Sequence, residues 1–96
     1  MFIVTLTYLK PVEEIDTLMA DHIDWLKKGY ADGLFIASGR RVPRVGGVIL
    51  ARSGDESALR DFLTRDPFVV HAAARCELVE FTATMTAAGA ELLKTF

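Results

Sequence analysis

The alternation of apolar and polar positions divides this chain into strands and helices. Residues 2–9 are rich in β-branched and aromatic side chains and read as a strand, with Phe2, Val4, Leu6 and Tyr8 on one face and Ile3 and Leu9 on the other. Lys10-Pro11 breaks it. Over residues 12–30 the period becomes helical: Ile15, Leu18, Met19, Trp25 and Leu26 share one face, while Glu13, Asp16, Thr17, Asp21, Asp24, Lys27 and Lys28 share the other. Gly29 and Gly33 punctuate the helix end. Residues 34–38 and 48–52 read as two further strands, most simply a hairpin, joined by a turn-rich connection over 39–47. Ser53 and Glu56 have capping-box spacing and open a second helix with Leu59, Phe62 and Leu63 on its apolar face. Pro67 stops it. A short turn of helix at 68–73, a fourth strand at 76–84 and a last short helix, capped by Thr86 and ending near Lys94, complete the pattern, with Gly89 opposing the last of these.

Strand, helix, strand, strand, helix, strand is the order of the split βαβ unit, so the expected fold class is α+β, ferredoxin-like βαββαβ, with a four-stranded antiparallel sheet and both helices on one face. Water on the second face would require polar residues there. Instead, residues 34–37 and 48–51 are apolar at both parities. The expectation is a homodimer in which the second face packs sheet to sheet on another copy, since a bare apolar face of this size invites aggregation. The alternative is that the terminal helix covers it.

Composition narrows the field. Ninety-six residues make one domain, 1–96, and a chain so short has limited capacity to bury apolar surface alone. A net charge of −2 leaves no electrostatic footprint for nucleic acid or an acidic membrane. No apolar run reaches the roughly 18 residues that a membrane span needs. The N-terminus lacks the basic start and cleavage site of a signal peptide, and the single Cys76 excludes an intrachain disulfide, so the expected location is the cytoplasm.

The chemistry centres on His22, which falls near the middle of the first helix's apolar stripe. An imidazole aimed into a core needs partners for a donor and an acceptor, and Leu18, Met19, Trp25 and Leu26 offer none. A lone histidine on an apolar face is more often a neutral core side chain bonded to a backbone carbonyl. Asp66 is a candidate partner, because the end of the second helix can approach the first. An aspartate there would accept the Nδ1–H of His22, fix its tautomer and leave Nε2 free to accept a proton. Asp66 also has a purely structural reading as the N-cap of the helix that Pro67 begins.

The connection after the second strand carries Ser38, Gly39, Arg40, Arg41 and Arg44. It is either a solvated hairpin tip or a clamp for a carboxylate or enolate, with Ser38 donating to the same oxygen. It is not a phosphate loop, having neither Gly-x-x-x-x-Gly-Lys-Ser/Thr nor Gly-x-Gly-x-x-Gly. His71 lies five residues after Asp66, but both histidines are isolated, so no metal site is expected. Cys76 reads as a small core or interface residue. Trp25 and Phe68 read as core residues, either of which can wall a pocket.

Taken in order, these segments resemble the YciI-like (YCII-related) family of small bacterial proteins over nearly the whole chain. The residues that carry the resemblance are the N-terminal strand, His22-Ile23-Asp24-Trp25-Leu26, the run from Gly33 to Arg40, the run from Pro43 to Ala51, and Asp66-Pro67-Phe68 followed by a strand. The resemblance implies a dimeric α+β barrel and an active-site pair, a helix histidine and the aspartate of the Asp-Pro-aromatic turn, which correspond to His22 and Asp66. One branch of that family is a dehydrochlorinase of a chlorinated hydroxymuconate. The chain departs from the pattern after the turn, where Val69-Val70-His71-Ala72 stands in place of the Ala-Gly of many members.

The leading expectation is therefore a small lyase-type enzyme that needs no cofactor and acts on a small, anionic molecule. His22 would be its general base or acid and Asp66 the residue that orients it, with Ser38, Gly39, Arg40 and Phe68 holding the substrate. A non-catalytic dimer that binds a metabolite or assists a pathway is the alternative. A cofactor-free monooxygenase on the same type of barrel fits the His and Asp-Pro pattern less well.

Overall fold

The computed structural model describes residues 1–52 and 54–96. The chain runs β1 (Phe2–Tyr8), α1 (Val12–Ala31), β2 (Phe35–Arg40), β3 (Gly46–Ala51), α2 (Glu56–Leu63), α3 (Pro67–Val70) and β4 (Ala74–Glu80), with a 3-10 helix at Glu91–Thr95. The strands form one antiparallel sheet in the order β2-β3-β1-β4, the ferredoxin-like arrangement, with α3 as an extra turn before the last strand. No helix among the described residues is long and apolar enough to cross a membrane.

Strand register assigns the side chains to faces. Phe2, Val4 and Leu6 of β1 lie opposite Ala51, Ile49 and Gly47 of β3, and these apolar side chains are buried under the helices with Trp25, Phe35, Leu59, Phe62 and Leu63. Each large side chain withdrawn from water in this way contributes on the order of 1.5–3 kcal/mol. A second apolar cluster of Ile15, Phe68, Ala73 and Ala74 lies where α1 meets α3. On the other face of the sheet, Ile3, Thr5, Val48 and Leu50 are only half-buried, and Val79 is 60% exposed.

Several boundaries differ from the sequence pattern, each for a physical reason. The expected turn over 39–47 shrinks to 41–45, because β2 continues to Arg40 and β3 begins at Gly46. Gly46 is needed for sheet pairing, not for the turn: a Cβ there would sit 1.8 Å from the carbonyl oxygen of Leu6. The fourth strand begins at Ala74 and stops at Glu80, short of Thr84, because its last ladder partner on β1 is Phe2. The short helix spans Pro67–Val70, not 68–73, and Ala72 with φ of 53° follows it. At the C-terminus Thr86 caps nothing; the 3-10 helix starts after Ala90, which follows Gly89 in a left-handed conformation (φ 92°). The cap of α2 is Asp55, whose carboxylate accepts the Ala58 N–H, while the Ser53 of the expected capping box lies outside the described residues.

Candidate functional site

α1 and the turn before α3 bring His22 and Asp66 together. Pro67 occupies the first turn of α3 with its φ already suited to a helix, and Asp66 caps that helix by accepting the Phe68 N–H on Oδ1 at 3.0 Å. The same Oδ1 lies 2.7 Å from Nδ1 of His22. An ionised carboxylate oxygen can only accept, so against it His22 donates Nδ1–H, and the neutral ring keeps its lone pair on Nε2. Asp66 is fully buried, and its Oδ2 has no hydrogen-bond partner among the described residues. Both of the carboxylate's hydrogen bonds among the described residues, to His22 and to the Phe68 amide, therefore fall on Oδ1, in a low-dielectric setting where such bonds are strong.

The imidazole sits at the seam between the two apolar clusters. Phe68 stacks on it with ring centroids 4.0 Å apart and planes 10° apart, and Trp25 flanks it at 5.5 Å. Trp25 is itself fixed by donating Nε1–H to the Phe62 carbonyl and stacking on the Phe62 ring. The Asp66-Pro67-Phe68 turn thus supplies both the carboxylate and an aromatic wall, and the imidazole is locked in orientation from two sides.

His22 lines a cavity of about 280 Å³ together with Leu6, Tyr8, Met19, Ile23, Leu26, Ser38, Gly39, Arg40, Gly46, Gly47, Val48, Ile49 and Phe68. Strand register explains the hollow. Gly47 lies opposite Leu6 on the helix-facing side of the sheet, so no side chain fills the space beneath α1 there. Ser38 and Arg40, two residues apart on β2 and paired with Ile49 and Gly47, share that side. Nε2 of His22 makes no hydrogen bond among the described residues, and it is not sealed from solvent.

Every residue singled out as a site candidate, His22, Asp66, Ser38, Gly39, Arg40 and Phe68, lies on this cavity or bonds directly to a residue that does. The arginines divide cleanly. Arg41 donates to Thr7 Oγ1 at 3.1 Å and Arg44 pairs with Asp16 at 2.5 Å, whereas Arg40 makes no ion pair among the described residues and lines the cavity. No carboxylate is among the described lining residues. His71 is the C-cap of α3 and is exposed, and no group of three or more metal-ligating side chains gathers among the described residues. Cys76 faces the helices from β4; burial and the Asp66 carboxylate push its thiol above the ordinary range. The sequence reading missed the walls from Tyr8, Met19, Ile23 and Leu26. Tyr8 shares the Leu6 parity and was open to detection; Ile23 flanks the apolar stripe and was not.

A ferredoxin-like α+β fold with an imidazole and a carboxylate joined beside a cavity defines the class. The chain belongs to the YCII-related domain family, which matches residues 1–82. Among solved structures it is similar to 5-chloro-2-hydroxyhydroquinone dehydrochlorinase (TftG) from Burkholderia phenoliruptrix AC1100 in complex with 2,5-dihydroxybenzoquinone, with a TM-score of 0.70 and 13% identity over 85% of this chain and 94% of the other. No curated protein matches the chain in sequence.

Proposed function

We propose that the chain is a small cofactor-independent enzyme of the lyase type, acting on a small anionic carbonyl or hydroxylated ring compound. One observation carries this reading: His22 has Nδ1 held by a buried carboxylate, and its Nε2, at the edge of a cavity, has no bond among the described residues. A purely structural histidine would have both nitrogens satisfied. The cavity, at about 280 Å³, lies just below the usual range of ligand pockets and suits a single ring. Among the described residues Arg40 makes no ion pair and no carboxylate lines the cavity, which favours an anion.

In this reading Nε2 takes the proton from a carbon next to a carbonyl. The C–H bonding pair moves to form an enolate, whose oxygen meets Ser38 and Arg40. As the carbonyl re-forms, the pair makes a carbon–carbon double bond and expels the leaving group from the adjacent carbon. Asp66 holds the tautomer and stabilises the imidazolium, which then gives its proton to the leaving group or solvent. The structural neighbour is named a dehydrochlorinase, and loss of hydrogen chloride is an elimination. The test is chloride release from 5-chloro-2-hydroxyhydroquinone, run beside deuterium exchange from D2O into small carbonyl acids. Wild type accelerates one or both, and His22→Ala loses roughly 10²-fold or more. Turnover unchanged in His22→Ala overturns the mechanism.

The same reading includes a homodimer in the cytoplasm. The half-buried Ile3, Val48 and Leu50 and the exposed Val79 lie on the sheet face away from the helices. The terminal 3-10 helix has no buried residue of its own, although Phe96 beyond it stacks under Arg52. Sedimentation of wild type as a dimer and of Leu50→Lys as a monomer supports this; a monomeric wild type removes it.

A further inference from the structure

Tyr30 lies in the last turn of α1, eight residues beyond His22. Its hydroxyl is 2.7 Å from Oγ of Ser38. The fold arranges this contact through Gly29. A Cβ at Gly29 would lie 2.3 Å from the Phe35 ring, so only glycine lets that ring seat against the helix. Phe35 then packs edge-on against Tyr30 at 5.9 Å, and β2 continues from Phe35 to carry Ser38 beneath the phenol.

We propose that Tyr30 is a positioning residue for the substrate oxyanion. Between two hydroxyls, the more acidic phenol is the better donor. With Tyr30 donating to Ser38 Oγ, the Ser38 O–H is free to turn into the cavity that Ser38 lines together with Arg40. A donor that itself accepts a hydrogen bond is polarised and donates more strongly. Tyr30 therefore acts through Ser38: it removes the serine's freedom to rotate away and strengthens its bond to an oxyanion, while Arg40 supplies the charge. The cavity then has two chemically distinct ends, a proton acceptor at His22 and an oxyanion site at Ser38 and Arg40, with apolar walls between them. This inference rests on the reading of the cavity as an anion pocket.

The experiment is a double-mutant cycle read by binding of 4-nitrophenolate, a planar ring anion with a visible chromophore, at mildly alkaline pH. Tyr30→Phe and Ser38→Ala each weaken binding about three- to ten-fold, the size expected for one hydrogen bond. The double variant is no weaker than Ser38→Ala alone, because Tyr30 has nothing left to act on. A second measurement needs no ligand: the ¹³Cζ resonance of Tyr30, assigned by its loss in Tyr30→Phe, shifts in Ser38→Ala. Wild-type binding that Arg40→Gln weakens but Tyr30→Phe does not touch overturns the relay and leaves the anion pocket standing. Losses that add in the double variant, or a Tyr30 resonance indifferent to Ser38, also overturn it. Failure of wild type to bind, or indifference to Arg40→Gln, overturns the anion pocket and the role of Tyr30 with it.

Discussion

His22 and Asp66, forty-four residues apart in sequence, meet at 2.7 Å inside the protein through the same carboxylate oxygen that caps α3. One atom thus ties the imidazole to the fold. Whatever disturbs α3 moves the histidine's partner, and whatever replaces the aspartate loosens α3.

This sharing predicts an unequal response to two substitutions. Asp66→Ala removes a helix cap, worth about 1 kcal/mol, and strands a buried Nδ1–H, at about 1–3 kcal/mol, so it destabilises by roughly 2–4 kcal/mol. Asp66→Asn keeps an acceptor oxygen for both donors and loses less stability, but it removes the charge that stabilises an imidazolium. Urea denaturation measures the first difference and proton-transfer activity the second. Equal midpoints for the two variants would show that the shared oxygen contributes nothing to stability.

Cys76 offers an independent probe of that buried carboxylate. Burial raises its thiol, and the negative charge of Asp66 raises it further. A raised thiol carries less thiolate at any given pH. Alkylation by iodoacetamide near pH 8 is therefore slower in the folded protein than in the unfolded chain, and its rate climbs only above the ordinary thiol range of about 8.5. Asp66→Asn removes one of the raising charges, so alkylation at fixed pH speeds up. An unchanged rate would place the carboxylate's influence elsewhere.

The first helix and the sheet were legible because their signals are local and periodic. Ile15, His22 and Trp25 recur at helical spacing, and all three are buried on α1. Asp66-Pro67-Phe68 was legible as a cap for a related reason: a short side chain, a fixed φ and an apolar residue are sufficient to specify it. The contact between His22 and Asp66 was open only as one of two readings, since spacing along the chain carries no distance in space. The partners of Arg41 and Arg44 were hidden in the same way. Gly46 was misread because a glycine demanded by a neighbouring strand looks identical in sequence to one demanded by a turn. Tyr30 was missed because its importance lies in Ser38, which reaches it through the packing of Phe35 on Gly29.

Two glycines of the cavity should therefore behave differently. Gly46→Ala drives a methyl group into the backbone of Leu6, where nothing flexible can give, and the β1–β3 ladder must shift. The expected result is a loss of several kcal/mol, about what severe overpacking causes, or a failure to fold. Gly39 has nothing within 4 Å of where its Cβ would lie. Gly39→Ala keeps wild-type stability or gains up to about 1 kcal/mol, because alanine loses less backbone freedom in a strand. Thermal denaturation of the two variants decides the matter, and a well-folded Gly46→Ala protein would mean that the strands separate more readily than the register implies.

Trp25 makes the packing around the imidazole visible without a substrate. It is the only tryptophan, it is buried, and its ring lies 5.5 Å from that of His22 while its Nε1–H is committed to the Phe62 carbonyl. An indole reached by water emits at longer wavelength than a buried one. His22→Ala should therefore shift the Trp25 emission to the red, since it deletes a ring packed near the indole at the edge of the cavity. His71 is exposed at the C-cap of α3 and is no ring neighbour of Trp25, so His71→Ala leaves the spectrum unchanged. An emission maximum that stays in place in His22→Ala would mean that the neighbouring rings close over the gap and keep water from the indole.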